Sequence, residues 1–180
     1  MPNRRSEIVA PLASATTPAA EFVFSRTFNA SLEDVWNAFT EPEHLKHWWG
    51  PPGSSIEIAH FELKPGGIFH YRMKFPDGRA MWARFIFREI AAPRRLVWLN
   101  AFSDEHGGLS RNPWVPTFPL ETLNTVTLAE QHGETLLTVT VVPFDASDDE
   151  ARIFSGGINA MKMGFGASFE VLADYISQRS

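Results

Sequence analysis

The sequence predicts an α+β domain in which a seven-stranded antiparallel sheet is covered on one face by a long C-terminal helix. Three observations carry this. Apolar residues alternate with a period of two from about residue 54 to 143, turn residues punctuate that stretch at short intervals, and an amphipathic helical stripe follows it almost to the C-terminus.

The elements follow in order. Residues 1–20 are rich in Ala, Pro, Ser and Thr without periodicity, and are expected to form a flexible arm ahead of a globular domain spanning 21–180. Phe22, Phe24 and Phe28 then share one side of a strand that ends at Asn29. Ser31 with Asp34, Thr40 with Glu43 and Ser147 with Glu150 have the spacing of a capping box, so each is expected to start a helix. Leu32, Val35, Trp36 and Phe39 give the first helix its packed stripe. Leu45, Trp48 and Trp49 do the same for the second, which Gly50-Pro51-Pro52 stops.

Six further strands are separated by Lys64-Pro65-Gly66-Gly67, Pro76-Asp77-Gly78, Ala92-Pro93 and His132-Gly133, with one longer interruption at Asp104–Pro119. At Pro76-Asp77-Gly78 parity selects a three-residue loop. Only that choice collects Phe69, Tyr71, Met73, Phe75, Met81, Ala83, Phe85 and Phe87 on one face, leaving His70, Arg72, Lys74, Arg84 and Arg88 on the other. It also puts Gly at the left-handed bulge position of a type I turn. At His132-Gly133 a two-residue loop sets Val126 and Leu128 beside Leu137 and Val139. Asp148 to Gln178 then reads as one helix with the stripe Phe154, Ile158, Met161, Phe165, Ser168 and Leu172. Gly156, Gly157, Gly164 and Gly166 weaken it by roughly 1 kcal/mol each, so it is expected to bend.

Composition excludes several functions. A net charge of −5 is the wrong sign for a phosphate-backbone binder, and nucleic acid is not an expected partner. The absence of cysteine excludes disulfides, thiol nucleophiles and Cys-ligated zinc. No apolar run reaches the ~20 residues that span a bilayer and the N-terminus has no signal-peptide core, so no membrane partner is expected and the cytoplasm is the expected location. Gly164-Phe165-Gly166 begins like a dinucleotide fingerprint but lacks the preceding strand and the third glycine. His44 and His47, at i and i+3 beside Glu43, have a spacing able to ligate a metal, although a solvated helix surface explains them as well. No metal or other cofactor is expected.

Taken in order, Phe28-x-Ala30-x-x-Glu33-x-Val35-Trp36, Pro42-Glu43-x-Leu45-x-x-Trp48-Trp49-Gly50-Pro51, Pro65-Gly66-Gly67, Met73-x-x-Pro76-Asp77-Gly78, Gly164-Phe165 and Leu172-x-x-Tyr175 resemble a known family. It is the START-like (SRPBCC) domains of the activator of heat-shock-protein-90 ATPase type, and the resemblance covers residues 21–178. Where that family usually has Trp after the late Gly, this chain has Phe165. The resemblance implies a helix-grip fold, a curved sheet wrapped around the last helix. It also implies an apolar cavity between them for a lipid-, polyketide- or aromatic-like molecule.

The expected cavity lining joins the apolar sheet face to its cover: Trp48, Phe69, Tyr71, Met73, Phe85 and Trp98, with Met161 and Phe165 from the helix. Tyr71, Trp98 and Asn100 are the polar groups available to orient a ligand, though a Tyr or Trp beneath a helix is equally at home as ordinary core. Trp114 and Phe118, in the proline-rich 104–119 segment, are expected in a lid over the cavity or in a dimer contact. The inward face shows no catalytic residue, since apart from strand-end Arg79 and Glu89 it has no ionisable group of the kind acid–base catalysis uses. Binding of a hydrophobic small molecule is therefore the leading expectation. The alternatives are an enzyme of cyclase, aromatase or hydrolase type, and a chaperone-associated stress-response protein, the last motivated by the family alone. Outer-face Trp82 and Ile86 need a cover, which predicts a homodimer unless the N-terminal arm supplies it.

Overall fold

The computed structural model describes residues 20–179, so all of the expected arm but Ala20 lies outside the described residues. The strands are β1 (Phe22–Phe28), β2 (Ser55–Phe61), β3 (Ile68–Lys74), β4 (Ala80–Ala91), β5 (Arg95–Ser103), β6 (Leu109–Ser110), β7 (Glu121–Gln131) and β8 (Glu134–Phe144). The helices are α1 (Leu32–Thr40), α2 (Pro42–Trp48), α3 (Asp148–Gly156) and α4 (Ile158–Ser177). Seven strands run antiparallel in the order β1-β8-β7-β5-β4-β3-β2, and the short β6 pairs with β5. Register shifts at Ile58/His60 and Phe87/Glu89 mark bulges, which bend β2 and β4.

Both hairpins pair as parity requires. Met73 faces Met81, Tyr71 faces Ala83 and Phe69 faces Phe85, while Val126 faces Val139 and Leu128 faces Leu137. Gly78 takes the left-handed φ of 85° that closes the three-residue loop. The inner face is thereby apolar, and its centre is an aromatic cluster around Phe169 of α4. That ring is 1% exposed and lies 5.8–6.3 Å from Phe24, Phe28, Phe39, Trp48 and Phe165.

Two expectations need correction. Thr40 does not cap α2: its hydroxyl donates back to the Trp36 carbonyl at 2.9 Å, and the cap is Glu41, with Pro42 in the first turn where its missing N–H is no loss. The C-terminal helix is two helices. The Gly157 N–H donates to Ile153 and Phe154 carbonyls, closing α3, while its own carbonyl accepts from Met161 and starts α4. Tandem glycines are the weakest point of the helix, so the bend falls there. On the outer face, Trp82 has neighbours from within the chain. His70 stacks on Trp82 at 4.8 Å and bonds the Asp104 carbonyl at 3.1 Å, while Arg84 donates to the Gly107 carbonyl at 2.6 Å.

Candidate ligand-binding cavity

A cavity of about 440 Å³ lies between β3–β5, α4 and the chain leaving α2. The volume is within the range of small-molecule sites. Each wall follows from the local fold. Strand pairing presents Tyr71, Met73, Met81, Trp98 and Asn100, and α4 contributes Met161, Gly164, Phe165, Ser168 and Phe169. After α2 the chain turns onto Met73 through Gly50, whose φ is 117°. A Cβ there would sit 2.6 Å from the flexible tip of Met73, and the positive φ is what calls for glycine.

Of the residues expected to line a cavity, Trp48, Tyr71, Met73, Trp98, Asn100, Trp114, Met161 and Phe165 do line this one. Phe69, Phe85 and Phe118 do not. Phe69 stacks behind Tyr71 at 4.6 Å and Phe85 behind Trp98 at 4.9 Å, so these two form a backing layer that fixes the rings in front of them. Phe118 packs on Phe154 of α3 at 5.8 Å. Sequence reasoning left out Trp49, Phe75, Met81, Phe102, Asn124, Ser168 and Phe169. Asn124 had a readable signal, because it shares the parity of the inward Val126 and Leu128.

Among the described residues the lining contains no Asp, Glu, His, Lys or Arg. Its one titratable group is Tyr71, 3% exposed, whose pKa burial pushes up to about 12 against a smaller opposing effect from its hydrogen bond with Trp49. The phenol is thus neutral across the physiological range. Trp49 Nε1 donates to its oxygen at 2.9 Å. Of the remaining polar groups, Ser168 lies on α4 and the others on β5 and β7, where Trp98 faces Asn124 and Asn100 faces Thr122. Asn124 Nδ2 is satisfied by Thr122, at 3.1 Å to the carbonyl and 3.0 Å to the hydroxyl. Trp98 Nε1 is buried without a partner among the described residues, which costs ~1–3 kcal/mol.

The 104–119 segment connects β5 to β7 and meets the cavity through Trp114, which stands edge-on to Phe75 at 5.6 Å and Phe102 at 6.0 Å. Arg111 ties it down, donating to Glu150 and, at 3.4 Å, to the Phe118 carbonyl. Glu150 is also the acid of the Ser147 capping box. The Arg111 hydrogen bond, chiefly, and then the Ser147 amide hold the Glu150 carboxyl below the usual carboxylate range. A lowered folded-state pKa means that this tie is fully present above the unfolded value of about 4.3 and is lost as pH falls through the folded one. Arg111→Ala is expected to speed proteolytic cleavage within 111–118 at neutral pH, and acidification through that window to do the same to the wild type. Equal cleavage rates for variant and wild type at pH 7 would show that the tie does not hold the segment.

The two histidines with metal-like spacing serve a different end. His44 bonds Tyr175 Oη through Nδ1 at 3.1 Å and lies 3.0 Å from Glu41 through Nε2, and the His47 ring stacks on Tyr175 at 5.0 Å. They clasp α2 to the end of α4. His44 is not a solvated surface residue, and among the described residues no three potential ligands gather to hold a metal.

Residues 29–177 match the family model described as "Activator of Hsp90 ATPase homolog 1-like protein". The chain belongs to this family. A protein from Mycobacterium smegmatis superposes on this Hsp90-activator-homologue domain with a TM-score of 0.73 at 20% identity, covering 90% of this chain and 94% of the other. One from Arthrobacter aurescens gives 0.73 at 28% identity, covering 89% and 87%. The AHSA1 protein from Silicibacter pomeroyi gives 0.67 at 17% identity, covering 89% and 100%. These likenesses confirm the helix-grip fold expected of the family. No curated protein matches. No helix among the described residues is long and apolar enough to cross a membrane.

Proposed function

We propose that this domain binds a hydrophobic small molecule, lipid-, polyketide- or aromatic-like, in the cavity between sheet and α4. The observation that carries the reading is a volume of about 440 Å³ walled by aromatic and methionine side chains without a charged group among the described residues. Methionine adapts its shape to irregular guests, and rings supply large contact area. The same wall disfavours turnover. General acid–base chemistry needs a group poised near neutral pH, whereas Tyr71, the one titratable residue there, titrates near 12.

Area alone gives modest affinity. Burying ~300 Å² of apolar ligand surface at ~25 cal/mol per Å² yields ~7.5 kcal/mol, and association costs at least ~4. The remainder corresponds to roughly millimolar binding. Micromolar affinity then depends on the preorganised rings and on hydrogen bonds from the polar groups. Of the six tryptophans, Trp48, Trp49, Trp98 and Trp114 line the cavity, so intrinsic fluorescence reports its occupancy. Titration with a panel of aromatic and fatty compounds is expected to shift or quench that emission with micromolar midpoints. A panel that leaves both fluorescence and melting temperature unchanged would refute the reading.

A further inference from the structure

We infer that residues 111–118 form a lid over the cavity, with the Trp114 side chain as its shutter, and that a guest enters and leaves by displacing it. This rests on the cavity being a binding site, as proposed above, and adds how that site is reached.

Exposure marks the mouth. Among the lining residues only Pro51, Trp114 and Gly164 are exposed, Trp114 at 44%, while the rest are half-buried or buried. Pro51 is a ring closed on its own backbone and Gly164 has no side chain, so neither has anything to swing aside. Trp114 is the movable part of the rim.

The segment that carries this indole is folded on itself and tied to the domain at few points. Asn112 Oδ1 accepts from the Trp114 and Val115 amides at 2.9 and 3.0 Å, and the Phe118 N–H donates to the Val115 carbonyl at 2.9 Å. Residues 112–118 are thereby one unit. Among the described residues, no backbone–backbone hydrogen bond joins 111–118 to the sheet or to a helix, so the unit moves without breaking a ladder. Its anchors are side chains, the Arg111–Glu150 pair at one end and Phe118 against Phe154 at the other. Between those anchors the indole rests on Phe75 and Phe102, with the Arg79 guanidinium over its ring at 5.3 Å. Ring and cation contacts of this kind are individually weak, and a structured loop of this length beside a cavity is of the kind that serves as a lid.

Stopped-flow fluorescence with N-phenyl-1-naphthylamine, an uncharged probe that brightens in apolar sites, separates a lid from a fixed wall. Truncating a fixed wall residue removes contacts with a bound guest and acts mainly on release. Truncating a lid speeds entry as well. In Trp114→Ala the association rate constant is expected to rise about fivefold or more and the dissociation rate constant about tenfold or more. Arg79 lies outside the lining, and it holds the indole whether or not a guest is inside. Arg79→Ala is therefore expected to raise both rate constants together, about twofold to threefold, with affinity unchanged within about twofold. Phe165→Ala, in the wall, is expected to raise the dissociation rate constant alone. Association rates unchanged in both Trp114→Ala and Arg79→Ala would overturn the lid and leave the binding reading standing. If the probe does not bind the wild type, both fall. Should Trp114→Ala fail to fold, the paired rates of Arg79→Ala decide.

Discussion

Met161→Trp is expected to weaken ligand binding at least ~100-fold, about 2.7 kcal/mol, while leaving the melting temperature within about 2 °C of wild type. Met161 is a half-buried residue of α4 that faces the cavity beside Phe165. An indole there has open volume to enter, so it meets the space of the guest and not a packed neighbour. A closed core would respond in the opposite way, since overpacking costs about 1–3 kcal/mol. The pair of measurements separates the two cases. A steep fall in melting temperature with unchanged affinity would mean that the volume beside Met161 belongs to the core.

Phe169→Ala is expected to give the largest loss of stability, about 3–5 kcal/mol, lowering the melting temperature by roughly 6–20 °C. Phe169 is 1% exposed and contacts rings from β1, α1, α2 and α4 at once, so its loss removes the common partner of four elements. Phe165, one turn earlier, is the natural control. It stacks on Phe22 at 5.2 Å but is only half-buried beside the cavity, so Phe165→Ala should cost less than half as much. Thermal melts of the two variants side by side suffice. Equal losses would show that Phe169 is not the keystone of the aromatic cluster.

The faces of the β3–β4 and β7–β8 hairpins were legible in the sequence, whereas depth along those faces was not. A period of two states which side a residue takes, and turn chemistry at Gly78 and at His132-Gly133 settles the register, so Tyr71, Met73 and Met81 could be placed together. Parity cannot say how far a residue sits from the cavity. Phe69, Phe85 and Tyr71 share a face, yet only Tyr71 reaches the void, because Phe69 stacks behind it. Helix starts were legible where one signal acted alone, as at Ser31 and Ser147. At Thr40 two signals competed, and Pro42 moved the start of α2 to its own position. Trp49 was unreadable as a cavity residue because it lies just beyond the last turn of α2, where helical periodicity no longer assigns a direction.

The sheet order places β1, the first strand, beside β8, the last long one, and the Ser25–Thr138 hydroxyl pair between them spans 113 positions of sequence. During synthesis at roughly 5–20 residues per second, β1 leaves the ribosome roughly 6–20 s before its partner exists. The β2–β5 meander faces no such delay, because each strand pairs with the one made just before it. Phe22, Phe24 and Phe28 must therefore wait as unpaired apolar side chains until β8 is made. The nascent chain is most exposed to aggregation in this interval, and it ends only when β8 clears the exit tunnel.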